Sequence, residues 1–375
     1  MPKCRAIAAL GGVWLLVAAA CAPTASSPPA PPSSGQPPAQ SAPDQLQPLI
    51  DAARQEGRVS MVWGSGIFGG AAGMRRLADG FNKLYGFNVE VAFTPGPPST
   101  EVAAKTVLEH QAGRVTSVDV VLAPADQTIS MLRAGALDTI DWGWAPNVRG
   151  TKSIAAGGVA VEVETLLSGI TFNSNRVAGD AIPRSLQDLL KPEYRGRIAA
   201  PPYAPSFSEL AAPEVWGKQR TLDYATRLSE QIGGLIRCNE DERLISGEFD
   251  ILAPMCSHGR VLLKKAEGQP LDFVVASDSG ITLPFYMSVP KNAAHPNAAK
   301  LWINYIVSRE AQDLIYEFDA MDAEMAAGSK TAAFLTSMEA AGTKIHRAGM
   351  DFYQRNDAED MNATLVEVQR ILQKQ

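Results

Sequence analysis

Histidine, cysteine and net charge are all scarce in this chain, and each scarcity excludes a class of function. Four histidines and four cysteines occur among 375 residues, and the formal net charge is −6 with acids and bases interspersed. Without a basic face the chain offers no surface to nucleic acid. His-x-x-x-His, His-Glu-x-x-His and G-x-S-x-G motifs are also missing. We therefore predict a protein that is not an enzyme, with no catalytic residues, metal site, cofactor or nucleic acid partner.

The chain also lacks a long hydrophobic segment at its start. An apolar run at residues 7–20 follows Lys3 and Arg5 and is too short to span a bilayer comfortably, which predicts an export signal at 1–20. Small residues directly before Cys21 resemble the lipobox of bacterial lipoproteins, although Ala18 stands where that pattern prefers leucine. We expect lipidation at Cys21, and ordinary secretion with an unmodified Cys21 stays open.

Residues 21–43 contain almost only proline, serine, alanine, glutamine and glycine after the cysteine. Such a composition cannot bury enough apolar surface to fold. We predict a disordered, lipid-anchored tether that holds a globular domain off a membrane. The protein is then exported to the periplasm or cell surface and anchored there by its lipid.

The rest of the chain alternates between strand and helix patterns, which favours an α/β fold with parallel sheets. Its length suits about two domains. We predict lobe 1 at residues 44–165 plus 273–325 and lobe 2 at 166–272 plus 326–375. Strands are expected at 58–63, 87–93, 118–122, 159–163, 166–172, 197–200, 234–238, 249–253, 273–276 and 281–290. The clearest helix patterns are 44–56, 126–134, 297–307, 331–348 and 357–373.

Cys238 and Cys256 follow two of these predicted strands. If the strands are parallel neighbours, both sulfurs lie at one edge of the sheet, and an exported protein permits a disulfide. Two buried free thiols are the alternative.

Gly64, Gly66 and Gly69 fit G-x-G-x-x-G between a strand and a helix. The acidic residue that should close the second strand of a dinucleotide site is missing, because Glu90 lies inside that strand. The glycines instead suggest exposed backbone N–H groups for an anionic or polar ligand. Plain turn geometry is the alternative.

Four motifs, in order along the chain, resemble the solute-binding proteins of ABC importers, in the branch that includes the ferric-ion-binding proteins. They are Gly113 with Asp119 and Val120, DLLKPEYRGRI at 188–198, ISGEFDI at 245–251, and PNAAKLWINYIVSREAQ at 296–312. The resemblance implies a two-lobed periplasmic-binding-protein-like fold of type II with a hinge between the lobes. It also implies capture of a small solute in the cleft, delivery to a membrane permease, and a monomer.

The iron ligands of that branch do not carry over. His258 and Gly259 stand where its two tyrosines would be, Gly66 replaces its histidine and Pro124 its glutamate. Ferric iron prefers phenolate and carboxylate oxygens. We therefore expect a small polar organic solute, with anionic solutes among the candidates, and not free ferric iron.

The predicted ligand-binding residues are hydroxyls, aromatic faces, one imidazole and one guanidinium near strand ends. For each of them ordinary packing is the alternative, and for His258 a structural role. A surface-anchored α/β enzyme and a sensor without a dedicated permease are the alternative functions. The predicted residues are Trp63, Ser65, Gly66, Tyr203, Ser206, Ser208, Ser257, His258, Arg260, Phe285 and Tyr286.

Overall fold

A computed structural model of the protein describes residues 42–374. The predicted export signal, Cys21 and all but the end of the predicted tether lie outside these residues. No helix within residues 42–374 is both long enough and apolar enough to cross a membrane.

Strands and helices alternate along most of the chain. The strands are β1 Arg58–Trp63, β2 Glu90–Pro95, β3 Val121–Pro124, β4 Ile154–Ala155, β5 Ala160–Leu167, β6 Ile170–Asn173, β7 Ile198–Ala200, β8 Ile232–Leu235, β9 Ile251–Leu252, β10 Leu271–Val274, β11 Gly280–Ser288 and β12 Ile345–Arg347. The helices are α1 Ala42–Glu56, α2 Gly70–Tyr85, α3 Ser99–Gln111, α4 Ala125–Arg133, α5 Phe207–Leu210, α6 Lys218–Ser229, α7 Glu242–Ile245, α8 His258–Ala266, α9 Pro296–Ile306, α10 Arg309–Asp319, α11 Lys330–Ala340, α12 Met350–Arg355 and α13 Ala358–Leu372.

The strands form two groups of sheets. In the first group β1 pairs with β2 in parallel, a bridge from Met61 to Val120 leads to β3, and β3 runs antiparallel to β11. On its other edge β11 pairs with β5, which pairs with β4, and the first residues of β11 pair in parallel with β12. The second group is one sheet of order β10-β6-β9-β7-β8. The fold is therefore α/β with two lobes, as predicted.

Buried hydrophobic residues surround both sheet groups, and the cluster around the second group also includes residues of β5 and β11. Trp63, Phe81 and Trp302 are fully buried around the first group, where Phe81 packs edge-on against Trp302. Phe207 and Tyr224 stack in the core of the second. Strand β1 shows the local cause, because its alternating buried positions match the pleat of a strand with one face on the core.

The chain passes between the two groups at adjacent strands. It leaves β5 and enters β6 through Ser168 and Gly169, and it returns from β10 into β11. A side chain at Gly169 would meet the Val274 carbonyl oxygen and the Met255 methyl group, so the two crossings lie in close contact. The lobe boundaries at 165/166 and 272/273 stay a prediction.

Several predicted elements are wrong in detail. The sheets are mixed and not purely parallel as predicted, because β5 and β11 pair in antiparallel fashion. The predicted strand at 166–172 is two strands broken at Ser168 and Gly169. The predicted helix at 331–348 ends at Ala340, and Gly342, whose φ is +92°, precedes β12.

Candidate functional site

A cavity of about 690 Å³ opens between the carboxyl ends of strands from the two sheet groups. One wall comes from the turn after β1 and from Pro98, at the start of α3. The opposite wall comes from Tyr203 and from the loops after β8 and β9. Its floor is formed by β5, β11 and the end of α10. Carboxyl ends of strands at a crevice are where open α/β sheets bind ligands.

An irregularity in the pairing of β5 with β11 decides which side chains reach the floor. Glu164 lies opposite Phe285 and Glu162 lies opposite Tyr286, so Val163 between them has no partner. An extra residue of this kind re-aims the side chains beyond it. Glu164 and Phe285 consequently line the cavity, whereas Glu162 and Tyr286 border a different pocket.

A disulfide joins the two loops of the second wall. Cys238 follows β8, Cys256 follows β9, and their Cα atoms are 5.7 Å apart. Strands β8 and β9 lie on either side of β7 and run parallel to it, which brings both cysteines to one edge of the sheet. The Cys238 N–H donates to the Tyr203 hydroxyl at 2.8 Å, so the tyrosine is tied to the same loops.

Two guanidinium groups face the cavity from this wall. Arg260 lies in the first turn of α8 and donates to the Asp241 carboxylate at 2.5 Å. Burial raises the pKa of Asp241, and Arg260 opposes that rise. Arg237 is exposed and forms no ion pair within residues 42–374. An unpaired guanidinium in a cleft is suited to a carboxylate, phosphonate or phosphate group.

The floor carries acidic groups instead. Glu164 is 3% exposed, and its Oε1 atom accepts no hydrogen bond. Burial raises the pKa of Glu164 well above its usual value, and the nearby carboxylates of Asp319 and Asp322 raise it further. Asp319 accepts the Phe68 N–H at 2.6 Å and the Gly69 N–H at 3.3 Å.

These contacts change the role expected of the glycine-rich turn. The backbone N–H groups before α2 were candidates for an anionic ligand, but Asp319 of the protein itself accepts those of Phe68 and Gly69. Gly64 and Gly66 still line the cavity, as part of its wall.

His258 lies outside the cavity, contrary to the prediction. Its side chain is 2% exposed, its ring stacks on Phe334, and its Nδ1 accepts the Leu167 N–H at 3.2 Å. Burial lowers the pKa of His258 to about 4, so the ring is neutral at neutral pH. The structural alternative therefore describes this residue.

Among the predicted residues, the cavity wall includes Gly66, Tyr203, Ser257, Arg260 and Phe285. It does not include Trp63, Ser65, Ser206, Ser208, His258 or Tyr286.

Most of the absent residues are packed elsewhere. Trp63 is buried against Phe68 and Phe93, and the buried Ser208 hydroxyl donates to Glu209. Ser206 is buried with a φ of +66°, and Ser65 is exposed beside the wall.

Sequence reasoning missed Arg237, Glu164 and Asp319. A signal for Glu164 existed, since two glutamates interrupt the apolar strand AVEVETLL and buried carboxylates are rare without a reason. Arg237 directly precedes a cysteine of the predicted pair. Within residues 42–374, no group of three histidine, cysteine or acidic side chains is arranged to hold a metal ion.

Solved structures share this fold at low sequence identity. A substrate-binding protein of an ABC transporter from Bradyrhizobium japonicum superposes with a TM-score of 0.67 at 17% identity, covering 84% of this chain and 99% of the other. Iron-bound HitA from Pseudomonas aeruginosa gives 0.63 at 16%, covering 83% and 99%. AgtB from Agrobacterium tumefaciens with agropinic acid gives 0.63 at 18%, covering 84% and 99%.

Curated protein sequences gave no match. One family model, described as bacterial extracellular solute-binding protein, matches residues 145–352, which is more than half of the chain. That match includes both strands of the cavity floor and the whole second wall. Together with the cavity between two α/β lobes, it shows that the chain belongs to the bacterial extracellular solute-binding protein family.

Proposed function

We propose that this chain is the substrate-binding component of an ABC importer and that it captures a small polar organic solute with an acidic group. The observation that carries the proposal is Arg237, an exposed guanidinium without an ion-pair partner among the described residues, on the wall of a cavity lined from both sheet groups. The loaded protein then docks on a membrane permease.

Closure of the lobes follows from where the solute binds. A ligand that touches both walls stabilises the closed arrangement more than the open one. A groove of about 850 Å³ beside Trp216 is lined only by residues between 187 and 227. A ligand there would contact one lobe and could not drive closure, so the 690 Å³ cavity is the better candidate.

The other parts of the proposal concern location and chemistry. The chain is exported to the periplasm or cell surface, is held there by lipid on Cys21, acts as a monomer and catalyses no reaction. Free ferric iron is not its solute, because Gly66, Pro124 and His258 supply none of the phenolate or carboxylate oxygens that Fe(III) prefers.

Thermal-shift screening of the purified full chain tests the proposal. Carboxylates, phosphonates, sugar phosphates, amino acids, polyamines and ferric salts are supplied in separate wells. A ligand at one hundred times its Kd stabilises the folded state by about 2.7 kcal/mol, which raises Tm by ~4 °C for a protein of this size. We expect this shift from at least one acidic organic compound.

The variant Arg237→Gln then tests whether the compound binds in the cavity that Arg237 lines. Loss of a charge-assisted contact should weaken binding of that compound roughly tenfold by titration calorimetry. Arg195→Gln is the matched control, because Arg195 is also exposed but does not line the cavity. A shift with ferric salt alone, equal losses in both variants, or chemical conversion of the compound detected by mass spectrometry would each contradict the proposal.

A further inference from the structure

The two sides of the cavity differ in charge. Arg237 and Arg260 lie on the second wall, and Glu164 and Asp319 lie on the floor. A solute that carried only acidic groups would be attracted by the guanidinium groups of the second wall but would meet the acidic groups of the floor. The chemistry of the floor therefore bears on what else the solute must carry.

One oxygen of the Glu164 carboxyl on the floor lacks a partner, although the carboxyl also shares a side-chain hydrogen bond with Asp319. Its Oε1 atom is buried and accepts no hydrogen bond, while the residue lines the cavity. A buried polar atom without a partner costs free energy in the ligand-free protein. A ligand that donates a hydrogen bond to Glu164 removes that cost, and an ammonium group is the strongest such donor.

The neighbours of Glu164 are already satisfied. Asp319 accepts two backbone N–H groups, and Asp322 accepts from Ser329 Oγ and from the N–H groups of Lys330 and Thr331. Both neighbours are acidic, and they are the charged groups that act on Glu164. A hydrogen bond between the carboxyl groups of Glu164 and Asp319 needs one proton, and burial with the two acidic neighbours raises the pKa of Glu164, so this proton lies on Glu164 in the absence of ligand.

We propose that the solute is bipolar: an acidic group meets Arg237 and Arg260, and a protonated amine meets Glu164, which releases its proton to solvent as the ligand binds. This inference rests on the proposed function and deepens it. The ammonium supplies the positive charge that the ionised Glu164 lacks among its protein neighbours, and the released proton is the only exchange with solvent. Amino acids and aminoalkyl phosphonates or sulfonates belong to this chemical class.

Matched sets of small molecules test the two ends separately. Each set holds a bipolar compound, the acid without the amine, and the amine without the acid, for example 4-aminobutyrate, butyrate and butylamine, or 3-aminopropylphosphonate and propylphosphonate. They are added to the library of acids, amines, sugars and salts used with the full chain. We expect the tightest ligand of the whole library to be bipolar.

Glu164→Gln removes the negative charge but keeps the shape of the side chain. We expect the affinity for the bipolar ligand to fall tenfold or more, with less than a twofold change for the acid that lacks the amine. Glu162→Gln is the matched control. Glu162 lies on the same strand, is equally buried and borders a different pocket, and a Gln oxygen can accept the same bonds from Thr165 and Met325.

Titration calorimetry in two buffers of different ionisation enthalpy measures the proton. At a pH below the pKa of Glu164, the parent and the Glu162→Gln variant should release up to one proton per bipolar ligand bound, and Glu164→Gln should release none. Over the range below the pKa of Glu164, affinity for the bipolar ligand should increase up to tenfold for each unit by which the pH is raised.

The possible failures are distinct. If the tightest ligand of the library has no cationic group, or if Glu164→Gln binds the bipolar ligand as the parent does, the solute is not held as we infer although the protein still binds solutes. If no compound of any class binds, the proposed function itself fails.

Discussion

His258 is a buried neutral residue that connects α8 to the end of β5. Its Nδ1 accepts the Leu167 N–H, and its ring lies between Phe273 and Phe334. Because the backbone bond needs an unprotonated nitrogen, the imidazole serves the native structure only in its neutral form. Its chemistry therefore concerns folding and not ligand capture.

The low pKa of His258 makes stability depend on pH. The folded protein protonates this ring at about 4, whereas an unfolded chain does so near 6.5. Between these values the unfolded state binds more protons, so the free energy of unfolding falls as pH falls, by about 3 kcal/mol in all. Above pH 6.5 the ring is neutral in both the folded and the unfolded state, so the free energy of unfolding no longer changes with pH through His258.

Urea unfolding at pH 7.5 and pH 4.5 measures this dependence. His258→Gln should reduce the difference in unfolding free energy between the two pH values by about 2 kcal/mol or more. If the variant gave the same difference as the parent, His258 would not be neutral in the folded state.

At the scale of elements, the disulfide organises the second wall of the cavity. Arg237 and Asn239 flank Cys238, and Ser257 follows Cys256, so three cavity residues lie on segments that the disulfide fixes. The 18-residue separation between the cysteines closes a loop that would otherwise gain entropy on unfolding.

Removal of the disulfide should therefore affect stability and binding together. The double variant Cys238→Ser, Cys256→Ser should lose about 3 kcal/mol of unfolding free energy and bind its solute more weakly. Urea unfolding and titration calorimetry measure the two effects. Reductant should reproduce both in the parent and change neither in the variant. Unchanged affinity in the variant would show that the loops keep their arrangement without the bond.

Sequence patterns predicted the strands and helices that are determined by their own residues and not by distant neighbours. Residues 58–61 alternate between polar and apolar, a glycine follows residue 63, and β1 has the predicted bounds 58–63. The run at 166–172 looks equally regular, yet it breaks at Gly169 because β10 crosses there. No periodicity within the run could show a neighbour that lies more than 100 residues further along the chain.

The candidate site likewise contains residues that local patterns predicted and residues that they could not predict. Tyr203, Ser257 and Arg260 were predicted because they follow strands that an α/β pattern locates, and Phe285 because it lies on the strand expected to return the chain to lobe 1. Glu164 was missed because its direction depends on an unpaired residue in the β5–β11 ladder, which only the strand pairing shows.

At the scale of the whole molecule, the proposed binding mode couples ligand chemistry to movement of the lobes. The floor belongs to β5, β11 and α10, whereas Arg237 follows β8 and Arg260 lies on α8, which follows β9 of the other sheet. A solute that binds only the guanidinium groups gains nothing when the lobes approach. A solute that also reaches Glu164 gains a second contact, and that difference in free energy is what shifts the equilibrium towards the closed form.

Small-angle X-ray scattering separates these two cases. We expect a saturating bipolar ligand to reduce the radius of gyration of the parent, and the matched acid without an amine to leave it unchanged even at full occupancy. Glu164→Gln, saturated with the bipolar ligand, should behave as the parent does with the simple acid. Glu162→Gln should close normally. Closure by the simple acid in the parent would show that the guanidinium wall alone drives the movement, because no contact at Glu164 would then be needed to hold the lobes together.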